Sequence, residues 1–100
     1  MKRSEVLEQA KEIISGERED TYGGPEDSFH AVAQLWNAFL TNTSNKHGEE
    51  YNISLEATDV ALMMMLLKAA RLTTAPDHLD SWVDAAGYAA CGGEIGTDHD

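Results

Sequence analysis

Residues 59–72 read DVALMMMLLKAARL. An acid opens the stretch, eight uncharged residues follow from 60 to 67, and Lys68 and Arg71 then stand three apart. Wound at about 100° per residue, the stretch carries apolar side chains around almost its whole circumference. That is the pattern of a central helix covered by neighbours on several sides, since a surface helix shows one apolar stripe. The run falls far short of the ~18 residues that span a bilayer. It predicts a buried helix at the centre of an all-α protein, with methionines that pack the core, and it leaves its few charged positions to be explained.

Working outward, three more helices follow from local signals. Ser4 caps a first helix with Val6, Leu7, Ala10, Ile13 and Ile14 at helical spacing, and Gly16 ends it, giving about 4–15. EREDTYGGP is polar with two glycines and a proline and reads as a loop. Pro25 suits a first helical position, and Glu26 and Asp27 favour the positive end of the helix dipole. That second helix runs over about 25–40, with Phe29, Val32, Leu35, Trp36 and Phe39 as its apolar side. TNTSNKHGEEYNI, residues 41–53, holds no sustained period and is expected to be a long loop. Ser54 is a cap for the central helix over about 54–72. TTAPD breaks it, and a fourth helix is expected over about 77–91, ended by Gly92 and Gly93. The reading is a four-helix, bundle-like single domain over 1–91 with a flexible tail over 92–100.

Hydrophobic residues make up 42% of the chain and charged ones 25%, so it is expected to fold and not to be disordered. One hundred residues support a single core, and a helical chain this small often completes that core by oligomerising. The net charge of -11, from 18 acids against seven cations, argues against binding a nucleic-acid backbone, which needs a basic face. Cys91 is the single cysteine, which rules out an intrachain disulfide and fits a reducing compartment. MKRSEVLEQ lacks the apolar centre of a signal peptide. A cytoplasmic protein with no membrane partner is expected.

The chemistry gathers near the last hairpin. Asp80 and Asp84 are one helical turn apart, Gly87 shares their face, and Tyr88 flanks it. Like charges at that spacing repel unless a cation compensates them. The short connection makes the third and fourth helices antiparallel, and counting outward from Ala75 brings Lys68 and Arg71 near Asp80 and Asp84. Two readings stand together. The cations neutralise the aspartates across the hairpin, or the cluster is a polar site in which cations meet phosphate oxygens and carboxylates hold a hard ion such as magnesium. Asp59 falls roughly 10 Å along the axes from Asp84, so one ion does not easily collect Asp59, Asp80 and Asp84 within one chain; Asp59 would join Asp80 or Asp84 more naturally across a subunit boundary, or serve a separate site. Arg18 and Tyr22 share a loop on which a guanidinium and a ring can grip a phosphate and stack on a base. The four histidines show no ligand spacing, so zinc is not expected. No nucleophile motif and no phosphate-cradling glycine loop is present.

The blocks TYGGPEDSFHAVAQLWNAFL, DVALMMMLLKAARL and DSWVDAAGYAA together resemble a family of small phage and prophage proteins akin to the nucleotide modification associated domain, and more loosely MazG-like all-α nucleotide pyrophosphohydrolases. The likeness covers about residues 17–91, with Arg18, Tyr22, Gly23, Trp36, Asp59, Lys68, Arg71, Asp80, Asp84, Gly87 and Tyr88 at matching positions. It implies a helical oligomer in the cytoplasm of an infected bacterial host. It also implies magnesium held by paired acids on adjacent helices and acting on a triphosphate. The chain departs from that scheme: Glu26 and Asp27 sit adjacent at the start of the second helix, where the enzymes carry an acid pair one turn apart, and Glu56 and Asp59 form the one pair in the third helix. The leading expectation is binding of a nucleotide or nucleotide-derived ligand through Arg18, Tyr22, Lys68, Arg71, Asp80, Asp84 and Tyr88, with sequestration of a nucleotide signal of host defence as one use. The alternatives are magnesium-dependent hydrolysis of a nucleoside triphosphate, with Glu56, Asp59 and Asp84 as tentative metal ligands, and a helical protein-interaction module.

Overall fold

A computed structural model describes residues 1–16 and 24–97. Among the described residues the chain is all-helical, with no strand. The helices are α1 (Arg3–Ser15), α2 (Pro25–Lys46), α3 (Ala57–Thr74) and α4 (Leu79–Thr97).

Pro25 at the start of α2, with Glu26 and Asp27 in its first turn, is as the sequence implies. Its far end is not: α2 runs on to Lys46, through the first part of the expected 41–53 loop. The stop signal is Gly48, whose φ of 71° is the left-handed conformation that glycine adopts at no steric cost. Glu49 N–H donates to the Ser44 carbonyl and Gly48 N–H to that of Asn45, the Schellman pattern that closes a helix end.

α3 begins at Ala57 and not at Ser54. A capping box starts it, in which the Glu56 carboxylate accepts from the Asp59 backbone and Asp59 Oδ2 accepts from Glu56 N–H at 2.9 Å. α4 begins at Leu79, with a 2.7 Å hydrogen bond between His78 Nδ1 and Ser81 Oγ beside its first turn. It continues through Gly92 and Gly93 to Thr97, so the expected tail is helical over residues 92–97.

α3 and α4 form the most extensive contact, an antiparallel hairpin whose register can be followed residue by residue. As α3 runs back from Lys68 to Ala61 to Thr58, the facing positions on α4 advance from Asp84 to Gly92 to Gly96. A Cβ on Gly92 would lie 2.9 Å from that of Ala61, closer than two such atoms sit. The glycine expected to end the helix instead lets two helices approach.

α1 rests on α4, with Gly87 against Ile14, and α2 rests mainly on α3. α1 and α2 scarcely meet, which leaves a groove between them. The buried apolar residues are Ala10, Ala33, Val60, Ala61 and Val83. They are small, whereas Leu35, Phe39, Leu62 and Leu66 are exposed. The radius of gyration is 15.5 Å, against about 13 Å for a compact chain of this length. The 23 Å short axis is two helix layers thick. Close helix contacts therefore hold a flat, open arrangement, and among the described residues no large side chain closes a central core.

Candidate functional site

The groove between α1 and α2 is floored by the hairpin and has a volume of about 520 Å³, within the range of small-molecule sites. Helical periodicity builds its walls. Phe29, Val32 and Trp36 recur at three- and four-residue steps along α2, Val60 and Met64 one turn apart on α3, and Asp84, Gly87, Tyr88 and Cys91 along one face of α4. Ile13 and Ile14 close the α1 side. The Phe29 and Tyr88 rings pack tilted, 6.1 Å between centroids, a favourable aromatic geometry.

One charged side chain, Asp84, marks this mainly apolar surface, and it is paired. Lys68 Nζ lies 3.1 Å from Asp84 Oδ2, and Asp84 lines the groove. The Lys68 side chain is 12% exposed and that of Asp84 32%. Arg71, one turn further along α3, is exposed and makes no ion pair with the described residues. The expected neutralisation across the hairpin thus holds for Lys68 with Asp84 and not for Arg71 with Asp80. Asp80 is exposed in the first turn of α4, outside the groove lining, where the helix dipole favours an acid. Arg18 and Tyr22 lie outside the described residues; Ile14 and Pro25, on either side of that stretch, both line the groove.

The donors expected for magnesium do not come together. Glu56 and Asp59 each give an oxygen to the backbone that starts α3. Asp84 pairs with Lys68, nine residues further along the same helix, about 13 Å by its rise. Among the described residues no group of three or more His, Cys, Asp or Glu side chains is placed to hold a metal ion. The set Glu56, Asp59 and Asp84 does not fit a shared ion in one chain.

Two residues were not legible as site elements. Trp36 reads as core by its spacing, yet it is half-buried and faces the groove, because α1 and α2 diverge. Asn37 receives two hydrogen bonds on Oδ1, from Leu55 N–H at 2.8 Å and Tyr51 O–H at 3.0 Å. Its amide donates a third, to the Leu55 carbonyl at 3.0 Å. It pins the segment after α2 back onto that helix. The one available signal was an amide side chain amid the apolar run of α2.

The family described as domain of unknown function DUF6378 matches residues 5–96. The chain belongs to that family. DUF6378 here spans all four helices and so takes in the groove and the Lys68–Asp84 pair. The chain is similar to the Gene 55 protein of Mycobacterium phage D29, 36% identical over 86 residues that cover 86% of this chain and 50% of that protein. It is 40% identical over 84 residues to the Gene 55 protein of Mycobacterium phage L5, covering 84% of this chain and 47% of that one. The chain spans about half the length of these relatives. No solved structure matches it. The resemblance to phage proteins is thus borne out as membership of DUF6378. Among the described residues, no helix is long and apolar enough to cross a membrane.

Proposed function

We propose that the groove takes a nucleotide or nucleotide-derived ligand, with the base among Phe29, Trp36 and Tyr88 and the phosphate directed along α3 towards Lys68 and Arg71. The observation that carries this reading is an aromatic-lined cavity with Asp84 on its wall, itself paired with Lys68. Aromatic faces stack on any base and contribute about 1–3 kcal/mol each. An ammonium carries three donors, so the bond to Asp84 orients Lys68 without exhausting it. Arg71, which makes no ion pair among the described residues, adds a guanidinium fork, the geometry suited to phosphate. The remaining acceptor capacity of Asp84 suits a sugar hydroxyl or a base N–H. Arg18 and Tyr22 would join from the stretch between Ile14 and Pro25.

Binding without turnover is the form these side chains favour, because the carboxylates that would hold magnesium serve the backbone and Lys68. For a phage protein, such binding suits sequestration of a nucleotide signal of host defence. The MazG-like hydrolytic reading needs acids brought from elsewhere.

Thermal-shift screening of nucleoside mono-, di- and triphosphates and cyclic nucleotides, with and without magnesium, tests the proposal. A ligand that binds only the folded state raises the melting temperature by mass action. The shift should vanish in Lys68→Met and in Trp36→Ala while both variants remain folded. Pyrophosphate release in the same wells would favour hydrolysis. No shift across the whole panel would overturn the nucleotide reading.

A further inference from the structure

Resting on the nucleotide reading of the groove, we propose that Asp84 accepts from the 2′- and 3′-hydroxyls of a ribose, so that the groove selects ribonucleotides over 2′-deoxyribonucleotides. Asp84 is the one charged side chain among the described residues that line the groove. It is 32% exposed, and Lys68, 3.1 Å from Oδ2, is its one side-chain partner among the described residues. An ionised carboxylate offers about four lone-pair sites, so the bond to Lys68 leaves acceptor capacity on the groove wall. A carboxylate donates nothing and repels phosphate. The part of a ligand that meets it carries hydrogen-bond donors and no negative charge.

Order along the hairpin decides which part that is. Val60, Met64, Lys68 and Arg71 fall within about 80° of arc on α3, and Val60 and Met64 line the groove. The two cations thus continue the groove-facing side of α3 towards the hairpin turn. On α4, Tyr88 stands one turn, about 6 Å, from Asp84 on the side away from that turn, and its ring packs with that of Phe29. Asp84 therefore lies between the aromatic pair and the cations. In a nucleotide the sugar lies between the base and the phosphate. With the base against Phe29 and Tyr88 and the phosphate at Lys68 and Arg71, the sugar comes to Asp84. A base placed at Asp84 would instead carry the phosphate past Lys68, which is level with it. The cis-diol of ribose presents two adjacent O–H donors to the carboxylate, and an acid takes the ribose 2′-hydroxyl in dinucleotide-binding folds. A 2′-deoxyribose removes one donor and leaves a charged acceptor facing a C–H.

Calorimetric titration of the wild-type chain with the 5′-mono- and triphosphates of adenosine, guanosine, cytidine and uridine, each beside its 2′-deoxy counterpart, tests this. The ribonucleotide that binds should do so about 10-fold more tightly than its 2′-deoxy form, the effect of one hydrogen bond to a charged, partly exposed group. In Asp84→Ala that preference should disappear. The ratio is the readout, because freeing Lys68 acts on the phosphate of both sugars alike, and a merely structural role for Asp84 would lower both affinities without moving it. Asp84→Asn keeps the shape, loses the charge and should narrow the ratio; it decides where Asp84→Ala does not fold. Equal binding of the two sugars by the wild type, tighter binding of the 2′-deoxy form, or an unchanged ratio in the variants would overturn the ribose assignment and leave the groove a nucleotide site. Absence of binding by every nucleotide would overturn both.

Discussion

Lys68 Nζ and Asp84 Oδ2 meet at 3.1 Å and tie α3 to α4, with Asp84 on the wall of the groove. Placing one of the few cations opposite an aspartate on the next helix relieves the repulsion between Asp80 and Asp84. It also leaves Arg71 unpaired among the described residues. Asp84 remains about one-third exposed, so water screens the pair and its contribution is small, at most about 1 kcal/mol. Lys68→Met should therefore fold and melt no more than about 8 °C below the wild type. A melting curve checks this, and loss of the cooperative transition would show that the pair holds the hairpin together.

The capping box sets a trap for any experiment that reads Asp59 as a metal ligand. Asp59 Oδ2 accepts from Glu56 N–H, so Asp59→Ala removes a helix cap and should cost about 1 kcal/mol whatever the protein binds. Asp59→Asn keeps an accepting oxygen and should retain more of that stability than Asp59→Ala. Thermal denaturation of the two variants side by side checks the order. If both lose the same amount, the cap is not what Asp59 supplies.

Much of this fold could be read where a local signal decides it. Gly16 places the end of α1, and the proline-bearing TTAPD the end of α3, within two residues of their observed positions. The hairpin register follows from its short connection, which is why Lys68 with Asp84 was foreseeable. The failures share a cause: the deciding contact lies outside the window being read. α2 outlasts its apolar pattern because Gly48 closes it further on. α4 passes through Gly92 because Ala61, far away in sequence, needs the room. The apolar circumference of α3 implied cover on all sides, and this chain alone covers only part of it. The groove was hidden for the same reason, since no pattern within α1 or α2 states that the two diverge.

Adjacent glycines on α4 should respond in opposite directions. Gly93 has open space where a Cβ would go, so Gly93→Ala should stabilise by about 0.5–1 kcal/mol through helix propensity. Gly92→Ala gains the same propensity but drives its Cβ against that of Ala61, part of a packed helix that must move. Overpacking of this kind costs about 1–3 kcal/mol. The melting temperature should therefore rise in Gly93→Ala and fall in Gly92→Ala. A rise in both would mean that the hairpin relaxes freely at that point.

Asn37 carries the last prediction, because three hydrogen bonds converge on one half-buried amide. Asn37→Ala leaves the Leu55 N–H, the Leu55 carbonyl and the Tyr51 hydroxyl without that partner. Lost partners for partly buried groups cost about 1–3 kcal/mol, and the segment leading into α3 loses its anchor to α2. Asn37→Asp keeps the oxygen that accepts from Leu55 N–H and Tyr51 O–H, and loses only the donor to the Leu55 carbonyl. It should lie between Asn37→Ala and the wild type in melting temperature. Hydrogen exchange gives a sharper reading: the Leu55 amide should exchange faster in Asn37→Ala and stay protected in Asn37→Asp. Equal protection in both variants would show that α3 packing, and not Asn37, holds this segment in place.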